Sequence, residues 1–158
     1  MNVRLATRSD KKRVLQLLTQ LGILINQKLG CRDPKNEDAS VYGSKNFDRV
    51  MNSDSIKIFV VEDNDNIVGA ASFFILTDMI CGEKFAHIDD FIIDEKERGK
   101  GYGKALMCGI ITYAREHTIN PVKLTSSLQF QEAHEFYEKI GGKFTQKVIK
   151  FDTGNKYS

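Results

Sequence analysis

The stretch that most constrains this chain is residues 56–103. Three β-patterned runs, Ile56–Glu62, Ile67–Leu76 and Phe85–Ile93, follow one another with no helical pattern between them. They are separated only by turn clusters, Asp63-Asn64-Asp65-Asn66 and Cys81-Gly82-Glu83-Lys84. Connections this short allow antiparallel pairing but not a parallel crossover. The third run leads into a glycine-rich segment, Arg98-Gly99-Lys100-Gly101-Tyr102-Gly103, and then a helical pattern over Lys104–His117. A sheet built around such a meander is not a doubly wound nucleotide-binding sheet.

The flanking segments complete the pattern. Val3–Ala6 reads as a first strand, and Ser9-Asp10 as the cap of a helix carrying Val14, Leu17, Leu18 and Leu21 on one face. Gly22 is expected to weaken or end it. Cys31–Lys45 reads as a polar loop or broken helix and Asn46–Asn52 as a short helix. Pro121 precedes a strand at Val122–Ser126, Glu132–Ile140 forms a helix stopped by Gly141-Gly142, and Phe144–Phe151 reads as a last strand. The order β-α-(α)-β-β-β-α-β-α-β predicts a single α+β domain over residues 1–158, with a mixed, mostly antiparallel sheet flanked by helices.

Composition narrows the classes of function. With 41% hydrophobic and 28% charged residues, the chain has enough apolar material for a core and is not a disordered segment. A net charge of +2 gives no electrostatic basis for nucleic-acid binding. The longest apolar run, near Ile67–Leu76, is interrupted by Gly69 and Ser72 and falls short of a membrane span, and Met1-Asn2-Val3-Arg4 opens no signal-peptide core. We expect a soluble, cytoplasmic protein. Cys31, Cys81 and Cys108 are odd in number and widely spaced, and with His87, His117 and His134 they make no metal-ligand spacing.

The glycine segment carries the chemistry. Glycines allow the backbone to approach a ligand, and the N–H groups opening the next helix favour a phosphate or pyrophosphate. Arg98, Lys100 and Lys104 add positive charge. Ala105 stands where a Walker loop needs Ser or Thr, and the spacing Gly-x-Gly-x-Gly is not the dinucleotide fingerprint. Taken alone, the segment reads equally well as a solvated turn. The strand before it adds weight: strict alternation puts Phe85, His87, Asp89, Phe91 and Ile93 on one face and Ala86, Ile88, Asp90 and Ile92 on the other. Two adjacent acids in an apolar strand need partners or a wet cleft.

The string His87-Ile88-Asp89-Asp90-Phe91-Ile92-Ile93, four residues, then Arg98-Gly99-Lys100-Gly101-Tyr102-Gly103-Lys104-Ala105-Leu106 resembles motif A of the GNAT superfamily of acyl-CoA-dependent N-acetyltransferases. Arg98, Gly101 and Gly103 match that family's core pattern. Leu124-Thr125-Ser126-Ser127 and Glu132–Gly142 resemble its motif B, and Ile88-Asp89-Asp90-Phe91 is similar to a segment of diamine acetyltransferases.

The resemblance implies acetyl-CoA as co-substrate. Its pyrophosphate would meet the backbone from Arg98 through Gly99, Lys100, Gly101, Tyr102 and Gly103 to Lys104, and its pantetheine the strand at Phe91, Ile92 and Ile93, where the sheet splays. It implies attack of a free amine on the thioester, with Tyr137 near the sulfur as general acid and Asp89 as the first candidate base. Asp90 is the alternate, and His87 shares a strand face with Asp89. The alternative for Tyr137 is a core position on its helix stripe, and His134 suits a surface position. In one departure, Phe130 stands seven residues before Tyr137, where many members carry an asparagine that contacts the cofactor; Ser126-Ser127 is a candidate substitute.

The acceptor is left open. Asp33, Glu37 and Asp38 suit a polyamine or aminoglycoside but also a solvated loop, while Tyr42 and Phe47 suit an aromatic amine. The leading expectation is acetyl transfer to a primary amine of a small molecule. The alternatives are acetylation of a protein amine and a non-catalytic CoA-binding sensor. Members of the family often form homodimers, for which the run Phe144–Phe151 is a candidate contact.

Overall fold

The computed structural model describes residues 1–30 and 39–149, apart from the side chains of Ser40, Val41 and Tyr42. Two compact units are present, Met1–Leu124 and a second from Thr125 onward.

The first unit holds a five-stranded sheet in the order β1-β2-β3-β4-β5: Asn2–Leu5, Ile56–Asp63, Asn66–Thr77, Lys84–Ile93 and Ile119–Leu124. The first three pairings are antiparallel and β4–β5 is parallel. This is the expected mixed sheet. Helices α1 (Lys11–Leu29) and α2 (Ala39–Met51) supply Val14, Leu15, Leu17 and Phe47 to a core with Val60, Ala70 and Ile92. Helix α3 (Tyr102–Glu116) supplies Tyr102, Leu106, Ile110 and Ala114 to a second core with Phe59, Val61, Phe73 and Ile88. Burying a side chain such as Leu106 or Ile110 contributes roughly 1.5–3 kcal/mol. Phe59, Phe73 and Tyr113 meet edge to face, with ring centroids 5.1–6.0 Å apart.

Several boundaries differ from the sequence reading. Helix α1 runs through Gly22, which is buried, and ends at Gly30 in the left-handed conformation (φ 59°). One helical glycine costs about 1 kcal/mol, little against the packed face of a 19-residue helix. Helix α2 starts at Ala39 rather than Asn46, and at Gly43 it comes close to α1: a Cβ there would lie 3.0 Å from Leu15 Cδ2. Helix α3 begins at Tyr102, and β5 includes Pro121 at the outer edge of the sheet.

The second unit contains α4 (Gln131–Lys139). Gly141 takes φ 101°, and Gly142 donates to the Tyr137 carbonyl at 2.8 Å, an approach that a Cβ would block. The double glycine is therefore a true helix stop. The strand expected over Phe144–Phe151 is not found in its described part: residues 143–149 have no regular structure, and Phe144, Val148 and Ile149 are exposed. Alternating apolar residues make a strand only against a hydrogen-bonded neighbour.

Candidate functional site

Strand β4 is paired unequally along its two edges. Against β3 the ladder reaches Ile93, opposite Gly69. Against β5 it ends at Ile88, opposite Leu124. Residues Asp89 to Ile93 therefore continue past the end of the parallel ladder, the feature expected of splayed strands.

The same stretch holds a bulge. Phe73 faces Ile88 and Ala71 faces Phe91, so Ser72 alone spans both Asp89 and Asp90. The Ser72 hydroxyl accepts from the Asp90 N–H at 2.8 Å and donates to the Asp90 carboxylate at 2.9 Å. Asp89 is exposed and Asp90 half-buried. The bulge overturns strict alternation: Ile88 joins the α3-side core, Ile92 the α1-side core, and Phe91 and Ile93 pack on the α3 side. The shared face expected for His87 and Asp89 through to Ile93 does not exist.

Beyond β4, Asp94 is buried at 8% exposure and caps the short 3-10 turn Glu95–Glu97 by accepting from Lys96 N–H at 3.1 Å. Arg13 holds its carboxyl below the usual carboxylate range, chiefly by direct hydrogen bonding. Arg98 donates to the Ile93 carbonyl at 3.2 Å, and Lys100 pairs with Glu97 at 2.8 Å. Gly99 (φ 79°) and Gly101 (φ 87°) occupy the left-handed region, and Gly101 caps α3. A Cβ at either would meet no heavy atom within 4 Å, so the space before this backbone is open. The first N–H groups of α3 have no partner within the helix. Open space, left-handed glycines, a helix start and the exposed Lys104 together fit an anionic phosphate group.

Tyr102 has a different place from its loop neighbours. Its ring is in the α3-side core and its hydroxyl donates to Asp63 at 3.0 Å, which raises its pKa. Only its backbone belongs to the loop.

In the second unit, Tyr137 is half-buried on α4, with its ring centroid 5.2 Å from that of Phe136. Burial pushes its phenol up to about 12. His134 is engaged rather than free, with Nε2 3.2 Å from Ser126 Oγ and its ring 5.5 Å from Phe144. The Ser127 carbonyl accepts from Phe130 N–H at 3.0 Å, closing the turn before α4.

Of the acceptor candidates, Phe47 is 3% exposed and packs in the α1-side core. Asp33, Glu37, Asp38 and the Tyr42 side chain lie outside the described residues. Arg13, Ser72 and Asp94 escaped the sequence reading. Only Asp94, directly before Glu95-Lys96-Glu97, offered a signal, that of a helix cap.

The model of the acetyltransferase (GNAT) family matches residues 25–142, and the chain belongs to that family. A glucosamine 6-phosphate N-acetyltransferase of Trypanosoma brucei brucei is 32% identical over 97 residues, covering 61% of this chain and 64% of that protein. The crystal structure of a Trypanosoma brucei acetyltransferase superposes with a TM-score of 0.67 at 27% identity, covering 96% of this chain and 98% of the other. A tetramutant of a Bacillus halodurans protein shares the fold with a TM-score of 0.84 at 22% identity, covering 96% and 99%. Among the described residues, no helix is long and apolar enough to cross a membrane.

Proposed function

We propose that this chain is an acetyl-CoA-dependent N-acetyltransferase whose acceptor is a primary amine of a small molecule, and that both compact units belong to one catalytic domain. The observation that carries the reading is the early end of the β4–β5 ladder, five residues before β4 ends, followed directly by an open, left-handed glycine loop at the start of α3. An extended amide-bearing ligand suits a strand edge, and a pyrophosphate suits the loop. Phe91, Ile92 and Ile93 are proposed for the first role, and the backbone from Arg98 to Lys104 for the second.

Acetyl-CoA brings an acyl carbon activated as a thioester. In the proposed reaction the neutral amine attacks that carbon, the N–C bond forms and the C–S bond breaks. The amine proton leaves to water or to Asp89, the exposed acid of the bulge. The thiolate takes a proton from Tyr137, whose half-buried phenol is pushed above the usual phenol range by burial. Phosphorylated amino sugars join polyamines and aminoglycosides as acceptors to test, because the curated relative acts on glucosamine 6-phosphate.

The test is thiol release from acetyl-CoA across amino sugars, polyamines, aminoglycosides, aromatic amines, amino acids and peptides. Release with one small-molecule class supports the reading. Release only with peptides moves the acceptor to a protein amine. CoA binding without release from any amine favours the sensor, and no binding removes the cofactor assignment.

A further inference from the structure

We propose that Arg13 is a positioning residue for the cofactor loop, acting from α1 through Asp94. This rests on the reading of residues 98–104 as the acyl-CoA phosphate site. The Arg13 guanidinium does two things at once. Its Nε donates to the Ile67 carbonyl at 2.8 Å, at the start of β3. Its Nη2 contacts Asp94 Oδ2, just past the end of β4. A planar guanidinium serves two acceptors in fixed directions, which an ammonium cannot do equally well.

Asp94 passes this constraint along the chain. Its N–H donates to the Val68 carbonyl at 2.8 Å, its second carboxylate oxygen accepts from Lys96 N–H, and its carbonyl accepts from Glu97 N–H at 2.9 Å. The turn so fixed ends at Arg98, the first residue of the loop, and Glu97 holds Lys100 inside it. The turn that leads into the loop is thus tied to α1 through one buried carboxylate and one arginine. Gln20, also on α1, lies beside Asp94 and helps to hold its carboxyl low. Without Arg13, Asp94 would be a buried charge missing its main partner, and the turn would reorganise to hydrate it.

The experiment compares R13Q, R13K, D94N and the double variant R13Q/D94N with R4Q. Arg4 bridges Asp10 and Glu62 in the same unit, so R4Q also breaks an ion-pair network but leaves the loop's anchor intact. Calorimetric Kd for CoA and the KM and kcat for acetyl-CoA are measured on each, with Tm as the folding control. The expected result is a rise of about tenfold in Kd and KM for R13Q at little cost in kcat, the scale at which outer partners tune a bound group. R13K is expected to recover part of the loss. D94N, whose amide oxygen still accepts from Lys96, is expected to fall between, and R13Q and D94N to be non-additive. R4Q is expected to change Kd by less than about twofold even if its Tm drops as far. An unchanged Kd in R13Q, or equal losses in R13Q and R4Q, overturns the proposal. Should R13Q not fold, R13K and D94N against R4Q decide the matter in the same way. Failure of the unaltered protein to bind CoA is a separate result: it removes the phosphate-site reading and the proposal with it.

Discussion

Ser72 and Asp90 are bound to each other twice: the serine hydroxyl accepts from the Asp90 N–H at 2.8 Å and donates to its carboxylate at 2.9 Å. One short side chain thereby stabilises a bulge that places two acids differently, Asp89 exposed and Asp90 half-buried. The neighbours should therefore respond differently to the same substitution. D89N is expected to lower kcat by about 10²-fold, the lower range of general-base effects, with Tm nearly unchanged. S72A is expected to lose about 1–3 kcal/mol of stability, since it strips a part-buried amide of its acceptor, and is checked by urea unfolding. A D89N enzyme with full kcat on its best acceptor would remove Asp89 from proton transfer.

Tyr137→Phe is expected to reduce kcat by about 10²-fold while Kd for CoA stays within about twofold. The phenol, pushed up to about 12 by burial, is protonated from pH 6 to pH 10, so Tyr137 should contribute no alkaline fall in kcat there. The sign for stability follows. A folded value above the unfolded one, about 10, stabilises fully below pH 10 and is lost as pH rises through about 12. Stopped-flow rates and alkaline unfolding curves of the two proteins test both statements.

The loop glycines and a sheet glycine should fail for different reasons. At Gly101 a Cβ meets open space but the backbone is left-handed, so G101A should cost about 1–2 kcal/mol and weaken CoA binding as the loop relaxes. At Gly69 the Cβ would run into the Ile93 side chain, with the Ile92 carbonyl 2.9 Å away. G69A should therefore push on the end of β4 and lower Tm more than G101A does. Thermal unfolding and CoA titration of both variants separate strain from collision.

Acid stability should depend on Asp10. Hydrogen bonding from Arg4, reinforced by the Thr7 N–H, holds its carboxyl at about 2 against the usual 3.8. A depressed folded value means stabilisation that is present above pH 3.8 and lost as pH falls through about 2. The contribution is about 2 kcal/mol. Urea unfolding between pH 2 and 6 should show this acid limb, and R4Q should flatten it.

The meander, the glycine loop and the α3 stripe were legible in the sequence because each is a local pattern: short turns, clustered glycines and a helical period. The double glycine that stops α4 was readable for the same reason. What escaped depends on partners distant in sequence. Gly22 looks like a helix breaker until packing of the α1 face is counted. Phe47 looks like a pocket aromatic until it is found among Val14, Leu17 and Val60. The β4 bulge is invisible in β4 itself, since Ser72, eighteen residues earlier, holds it. The run from Phe144 has the composition of a strand but no ladder over its described residues.

The extra residue at Asp89-Asp90 also sets the parity of the strand. Before it, even-numbered Ala86 and Ile88 serve the α3 core; after it, odd-numbered Phe91 and Ile93 do, and Ile92 crosses to the other core. Because Ser72 alone faces both aspartates, deleting one of them would leave Phe91 opposite Ala71 and Ile93 opposite Gly69, with both hydrophobic cores still filled. What the deletion would remove is the coexistence of an exposed and a half-buried acid at one level of the strand. The bulge thus adds a second carboxylate at a single rung of the sheet without displacing the core or the glycine loop.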